Sequence, residues 1–195
     1  LFDVCPFAVE GIANAAFTGG ALHFLAHASV GTYVSHIRIP TLLMQGQGDS
    51  LFNLREAATT YRQLKAQGTP VKMIWQSWGH SVSSPAPGEW SQGDQMANTY
   101  EGKRVLNWFA HYLKGEDVAT GPTFAYYRDY IPFHGDGPDT VQYATASHFP
   151  IGKMQTFYAS AGGSLVTKRS RVTAGSSSYA NLAGPTPLSY SEVSG

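Results

Sequence analysis

Ile37-Arg38-Ile39-Pro40-Thr41-Leu42-Leu43-Met44-Gln45-Gly46-Gln47-Gly48-Asp49, answered further on by Val71-Lys72-Met73-Ile74-Trp75-Gln76-Ser77-Trp78-Gly79-His80, decides the fold. Ile37 to Gln45 alternates and then runs apolar, as a strand buried in a parallel sheet does. Pro40 stands near its start, where a missing N–H is tolerated. Gly46 and Gly48 break the run and leave Asp49 just beyond the strand's carboxyl end. Val71 to Trp75 repeats the pattern, and its exit loop carries His80.

Asn53 to Gln67 lies between the two runs and reads as a helix. Asn53 is a favourable N-cap with Glu56 three residues on, and Leu54, Ala57, Ala58, Tyr61 and Leu64 form one apolar stripe. Gly68 suits the position just past the helix, and Pro70 forbids its continuation. Strand, helix, strand with a right-handed crossover makes the two strands parallel neighbours and opens both loops on the same sheet edge. Asp49 and His80, 31 residues apart in the chain, are thereby expected to meet.

An acid followed by a histidine in loops of this kind is the last part of the serine, acid, histidine order of α/β-hydrolases. In such a triad the histidine moves the serine proton, and the acid orients the imidazole and stabilises its charged form. Taken singly, Asp49 is a turn residue and His80 a loop residue. The pair in this strand context points to catalysis. Gly48 and Gly79 are expected to let each loop turn tightly. No G-x-S-x-G elbow occurs in the 195 residues, and Ser50 and Ser81 read as loop residues. The nucleophile and oxyanion donors are expected upstream of Leu1, and both chain ends read as cuts through a longer protein.

Composition narrows the classes. Lys+Arg and Asp+Glu stand at 13 each, so no net field favours nucleic acid or an anionic membrane. No apolar run approaches the ~18 residues of a membrane span. The single Cys5 excludes an internal disulfide framework and reads as a small buried residue. His23 and His27 stand one turn apart on an expected helix over 21–35, whose apolar face is Leu22, Leu25 and Ala26. Without the Glu of H-E-x-x-H or a third ligand they read as helix residues, and no metal or cofactor is expected.

Beyond Asp49 the chain predicts a Ser/Pro/Gly loop over 81–93 and a helix over 95–114. That helix has Met96, Tyr100, Leu106, Phe109, Ala110 and Leu113 on its apolar side and ends at Gly115. After about residue 118 short β-prone runs follow, at Phe124–Tyr127, Val141–Ala144, Met154–Tyr158 and Leu165–Thr167, separated by turns. They predict the start of an all-β sandwich.

Several of these segments carry a resemblance. Ile39-Pro40-Thr41-Leu42-Leu43-Met44-Gln45-Gly46 with Asp49-Ser50-Leu51-Phe52, Gly68-Thr69-Pro70-Val71-Lys72 and Trp78-Gly79-His80 resemble the cocaine esterase and X-Pro dipeptidyl-peptidase group of α/β-hydrolases. Val105-Leu106-Asn107-Trp108-Phe109-Ala110-His111-Tyr112-Leu113-Lys114-Gly115 is similar to that group's final catalytic-domain helix. Ala144-Thr145-Ala146-Ser147-His148-Phe149-Pro150 is similar to the entry of its C-terminal jelly roll, with Tyr143 where the group usually has Trp. The resemblance covers about residues 36–166. It implies an α/β class, with residues 1–118 the C-terminal part of a hydrolase domain (1–35 a cap remnant) and 119–195 a truncated jelly roll. It further implies Asp49 and His80 as triad acid and base.

The expected activity is hydrolysis of an ester or amide bond in a small-molecule ester or peptide, with low charge near the site tilting towards an esterase. Leu51, Phe52 and Trp78 flank the pair and are candidate substrate-binding residues, with packing as their alternative role. A non-catalytic binding protein with a degenerate hydrolase domain and a β-sandwich is the competing expectation. No nucleic-acid or membrane partner is expected. Oligomeric state, and a cytosolic or secreted location, stay open at this level.

Overall fold

The structure is a computed structural model, and it describes residues 5–14, 16–90, 96–134, 142–153, 155–176 and 178. Leu1, Val141 and Met154, with parts of the expected loop over 81–93, helix over 95–114 and sandwich over 119–195, lie outside the described residues. The chain forms two compact units, Leu1–Phe149 and Pro150–Gly195.

The first unit is α/β. Strand β1 (Thr41–Gly46) and strand β2 (Val71–Gln76) run parallel, in register from Thr41 opposite Val71 to Gly46 opposite Gln76. β1 starts later than the alternation suggests: Pro40 lacks an N–H, and the ladder opens with Thr41 N–H donating to Pro70 O at 2.9 Å. Helix α4 (Leu54–Ala66) crosses between the two strands. Asn53 caps it by accepting from the Arg55 N–H at 3.0 Å, and Gly68 takes the left-handed φ of 82° just after its end.

Strand β3 (Phe124–Tyr127) adds to β2 in parallel, and β4 (Tyr143–Ala146) adds to β3 antiparallel, giving the order β1-β2-β3-β4. The sequence expectation placed these two strands beyond residue 118 in a separate sandwich. In the structure they extend the sheet of the first unit. Their strand character is local, but pairing partners are set by packing against β2.

Alternation divides the core. On one face Tyr61 and Leu64 of α4 pack with Met73 and Phe124. On the other, Ile74, Ala125, Tyr127 and Tyr143 meet Tyr100 of helix α5 (Tyr100–Lys114). The sheet therefore carries helices on both faces. Three aromatic edges close the first face, with Phe149 packed on Tyr61, Trp75 and Phe124 at 5.0–5.4 Å between ring centres.

α5 departs from its expected facing. Its buried residues are Glu101, Gly102, Arg104 and Trp108, while Leu106, Phe109 and Leu113 are exposed. Arg104 is buried because its guanidinium donates to Thr120 O, Pro122 O and the Tyr100 hydroxyl. Glu101 accepts the Trp90 N–H. All of these partners but Tyr100 come from loops that helical periodicity does not contain.

The N-terminal segment forms α1 (Cys5–Asn14), α2 (Gly19–Ala28) and α3 (Val30–Tyr33). The expected helix over 21–35 breaks at Ser29, whose hydroxyl caps α3 by accepting from Gly31 N–H. Leu22 and Leu25 are exposed, and Ala21 is the buried residue of α2. Cys5, expected inside, is exposed at the first residue of α1. In the second unit β5 (Tyr158–Ser160) and β6 (Ser164–Val166) form one antiparallel pair.

Leu64→Ala is expected to destabilise the chain by about 2–5 kcal/mol, as truncation of a fully buried leucine does. Leu113→Ala, at a residue 77% exposed, is expected to change stability by no more than ~0.5 kcal/mol. Urea unfolding of the two variants checks the pair.

Candidate active site

The register Gly46 opposite Gln76 ends β1 and β2 at the same level, so their exit loops leave side by side. Gln47 secures this edge. Its N–H donates to Gln76 O at 2.7 Å, and its side-chain amide donates to Tyr127 O at 2.8 Å. Asp49 sits in the first loop, 6% exposed, and His80 in the second, exposed.

The Asp49 carboxylate links the two loops. Oδ1 accepts the Phe52 N–H at 2.9 Å and the Ser81 hydroxyl at 3.1 Å, and Oδ2 accepts the His80 main-chain N–H at 2.8 Å. The described bond between the pair thus reaches the histidine through its backbone. Burial pushes the Asp49 carboxyl up. The hydrogen bonds from Phe52, His80 and Ser81, with the nearby charge of His80, outweigh burial and hold it below its ordinary value of 3.8. Asp49 is accordingly ionised at neutral pH.

Contact this close requires residues without side chains. A Cβ on Gly46 would lie 2.5 Å from Trp78 O and 2.9 Å from Gly79 Cα. A Cβ on Gly79 would lie 2.7 Å from Asp49 Oδ2. Gly48 lies in the turn that follows β1 and Gly79 in the bend before His80, as expected, but neither takes left-handed φ. Their value is space: a Cβ on Gly48 would come within 2.8 Å of Val82 Cγ2.

Ser81 braces the acid. Its hydroxyl oxygen accepts N–H groups from Ser50 at 3.0 Å and Leu51 at 3.3 Å while donating to Asp49. The sequence left Ser81 as a loop residue, and its adjacency to His80 was the available signal. Gln45, also not singled out, donates its side-chain amide to Phe52 O and holds the far end of the Asp49 loop.

Among the three flanking candidates, Phe52 lies edge-on to the His80 ring, with 5.6 Å between centres. Leu51 and Phe52 are exposed beside the pair. Trp78 turns instead towards Trp90, 6.4 Å away, and its indole nitrogen is buried. His27, one member of the spaced histidine pair, faces the Tyr33 hydroxyl with Nδ1 at 3.2 Å. Among the described residues, no group of three or more His, Cys, Asp or Glu stands close enough together to hold a metal. No helix of the described residues is long and apolar enough to cross a membrane.

No protein-family model, curated protein or solved structure matches the chain.

Two outcomes follow from this geometry. Gly46→Ala and Gly79→Ala are each expected to cost about 1–3 kcal/mol in urea unfolding, as overpacked sites do. Gly46→Ala is expected to cost more, because its clash is with a rigid carbonyl rather than a side-chain end. A shifted His80 amide proton resonance in Gly79→Ala would report the strained Asp49 bond. The second outcome concerns pH. A carboxyl lowered by folding contributes stability that is fully present above its unfolded value and is lost as pH falls through the folded one. Asp49→Asn is therefore expected to flatten the loss of stability below about pH 4 in a series of urea midpoints. An unchanged acid limb would contradict the role given to Asp49.

Proposed function

We propose that this chain carries the acid and base of a serine hydrolase of ester or amide bonds, with Asp49 orienting His80 and a serine nucleophile supplied from outside these 195 residues. The observation that carries the reading is the carboxylate of Asp49 reaching across from the carboxyl end of β1 to the loop that holds His80 at the carboxyl end of β2. This is the edge at which open α/β sheets place their chemistry.

On this reading His80 takes the serine proton as the oxygen attacks the carbonyl, then gives it to the leaving alcohol or amine. Asp49 stays ionised and stabilises the imidazolium formed in between. Oδ2 accepts one described hydrogen bond, and a carboxylate oxygen has about two acceptor positions, so a ring N–H has a place to bind. Exposed Leu51 and Phe52 would border the acyl or leaving group, and Trp78 would support the loop from behind.

The sheet itself favours a larger hydrolase domain. β1 lies at its edge, yet Leu42 and Met44 contribute to one core cluster and Leu43 to the other. A groove of about 340 Å³ between Ile39, Leu42 and Met44 and the α5 residues Val105, Trp108 and Phe109 stays open beside it. A strand beside β1, from the part of the enzyme that brings the serine, would cover that edge. We further propose that the β5–β6 pair belongs to a jelly roll that follows the hydrolase domain. It is supported by the antiparallel pairing and by the resemblance of residues 144–150 to the entry of such a domain.

The competing reading, a binding protein with a degenerate hydrolase domain, is favoured by one feature, the use of the His80 backbone rather than its ring by Asp49. A fluorophosphonate probe separates the two. The protein containing this chain and its upstream sequence is expected to label on a serine outside the 195 residues. His80→Ala is expected to lower ester turnover by about 10⁶-fold with the fold retained. A folded protein that does not label is the result that would favour the binding protein.

A further inference from the structure

A second buried carboxylate stands behind the first. Glu89 is 4% exposed and lies at the far end of the loop that begins with Ser77 and carries His80. Its Oε1 accepts the Ser77 N–H at 3.0 Å and the Tyr143 hydroxyl. Its Oε2 accepts the Ser77 hydroxyl and the Ala86 N–H at 3.2 Å. The Ser77 hydroxyl oxygen also accepts the Ala86 N–H at 3.0 Å, tying the same two points directly. Tyr143 belongs to β4 and stacks on Tyr100 of α5 with 4.3 Å between ring centres. Burial and the adjacent Glu101 and Glu89 raise the Tyr143 hydroxyl far above its ordinary range, so it remains a donor.

We propose that Glu89 is a positioning residue for His80, its carboxylate closing the loop at both ends and anchoring it to β4. The proposal rests on the hydrolase reading for its consequence, though not for its geometry. His80 is three residues from Ser77, and between them Gly79 N–H donates to Val82 O at 2.8 Å. The loop is thus held at its start by Glu89, across its neck by Gly79 and Val82, and at His80 itself by Asp49. A freed Ser77 would let the first of these go, and His80 would wander from a serine that must meet it within hydrogen-bond reach.

A glutamine cannot stand in. Each oxygen of Glu89 faces one main-chain N–H, from Ser77 or from Ala86, and a main-chain donor cannot rotate away. Whichever way a Gln amide were turned, its NH₂ would oppose one of them. The four donors to Glu89 come from Ser77, Ala86 and Tyr143, so one carboxylate joins three points of the chain.

The test is Glu89→Gln in the protein that includes the upstream serine, with Tyr143→Phe as the milder variant. In folded Glu89→Gln, kcat for ester hydrolysis is expected to fall about 10²-fold with KM unchanged, the signature of misplacement rather than lost binding. Hydrogen exchange at the Gly79 and His80 amides, neither of which bonds Glu89, is expected to accelerate. Wild-type kcat together with unchanged exchange at those two amides would overturn the proposal. If Glu89→Gln does not fold, Tyr143→Phe decides, with a smaller loss of kcat at constant KM expected and wild-type kcat overturning. If the wild-type protein neither labels nor turns over ester, the hydrolase reading falls alone. Exchange at Gly79 and His80 in the 195-residue chain then still decides the clamp.

Discussion

The bond from the His80 main-chain N–H to Asp49 Oδ2 depends on two backbones meeting without side chains between them. Gly46 ends β1 and Gly79 precedes His80, and each would strike the other's surroundings if it carried a Cβ. From this approach follows the rest of the edge: Ser81 reaches the N–H groups of Ser50 and Leu51, and Phe52 comes to lie against the imidazole. The parallel register of β1 and β2 brings the loops to one level, and the paired glycines let them touch there.

A chain so poor in charge solves the burial of acids in an unusual way. Asp49 and Glu89 are both buried, and the partners described for them are N–H and O–H groups rather than cations. For Asp49 these bonds outweigh burial and hold the carboxyl below its ordinary value. Fixed donors bring geometry as well as charge. Each acid spans two or more points on a loop, so its bonds define the loop's path. Surface pairing contributes little by comparison: the Lys114–Glu116 pair, 3.7 Å apart, is mostly solvated.

What was legible in the chain was local. Asn53, the α4 stripe and Gly68 specify that helix from within their own segment, and the apolar runs specify β1 and β2. With these came the meeting of the Asp49 and His80 loops, which depends only on strand–helix–strand handedness. What was not legible depended on distant partners. Glu101 and Arg104 look like outward residues of α5 until Trp90 and the 119–122 loop supply their hydrogen bonds. The β-prone runs at 124–127 and 143–146 announce strands, but not that they extend the sheet of β2. Gly79 reads locally as a turn residue, whereas its need for space is set by a carboxylate 30 positions away. Glu89 carried no pattern at all, being one acid within the expected Ser/Pro/Gly loop over 81–93.

This division has a consequence for how half a catalytic constellation can be built. Asp49, Ser81, Glu89, Ser77 and Tyr143 all lie within the first compact unit, and their bonds to one another complete a frame around the His80 backbone. The frame leaves the imidazole itself exposed at the sheet edge. On the hydrolase reading, a main chain fixed on both sides of an exposed ring, with Phe52 edge-on to it, is the arrangement that an incoming nucleophile needs. On that reading the costly ordering of the loop is done before the serine arrives, and only the ring's rotation remains to be settled by the partners it meets. On the hydrolase reading, the bond from Asp49 to the His80 backbone is then the scaffold of the triad, on which the ring bond forms when serine and substrate close the site.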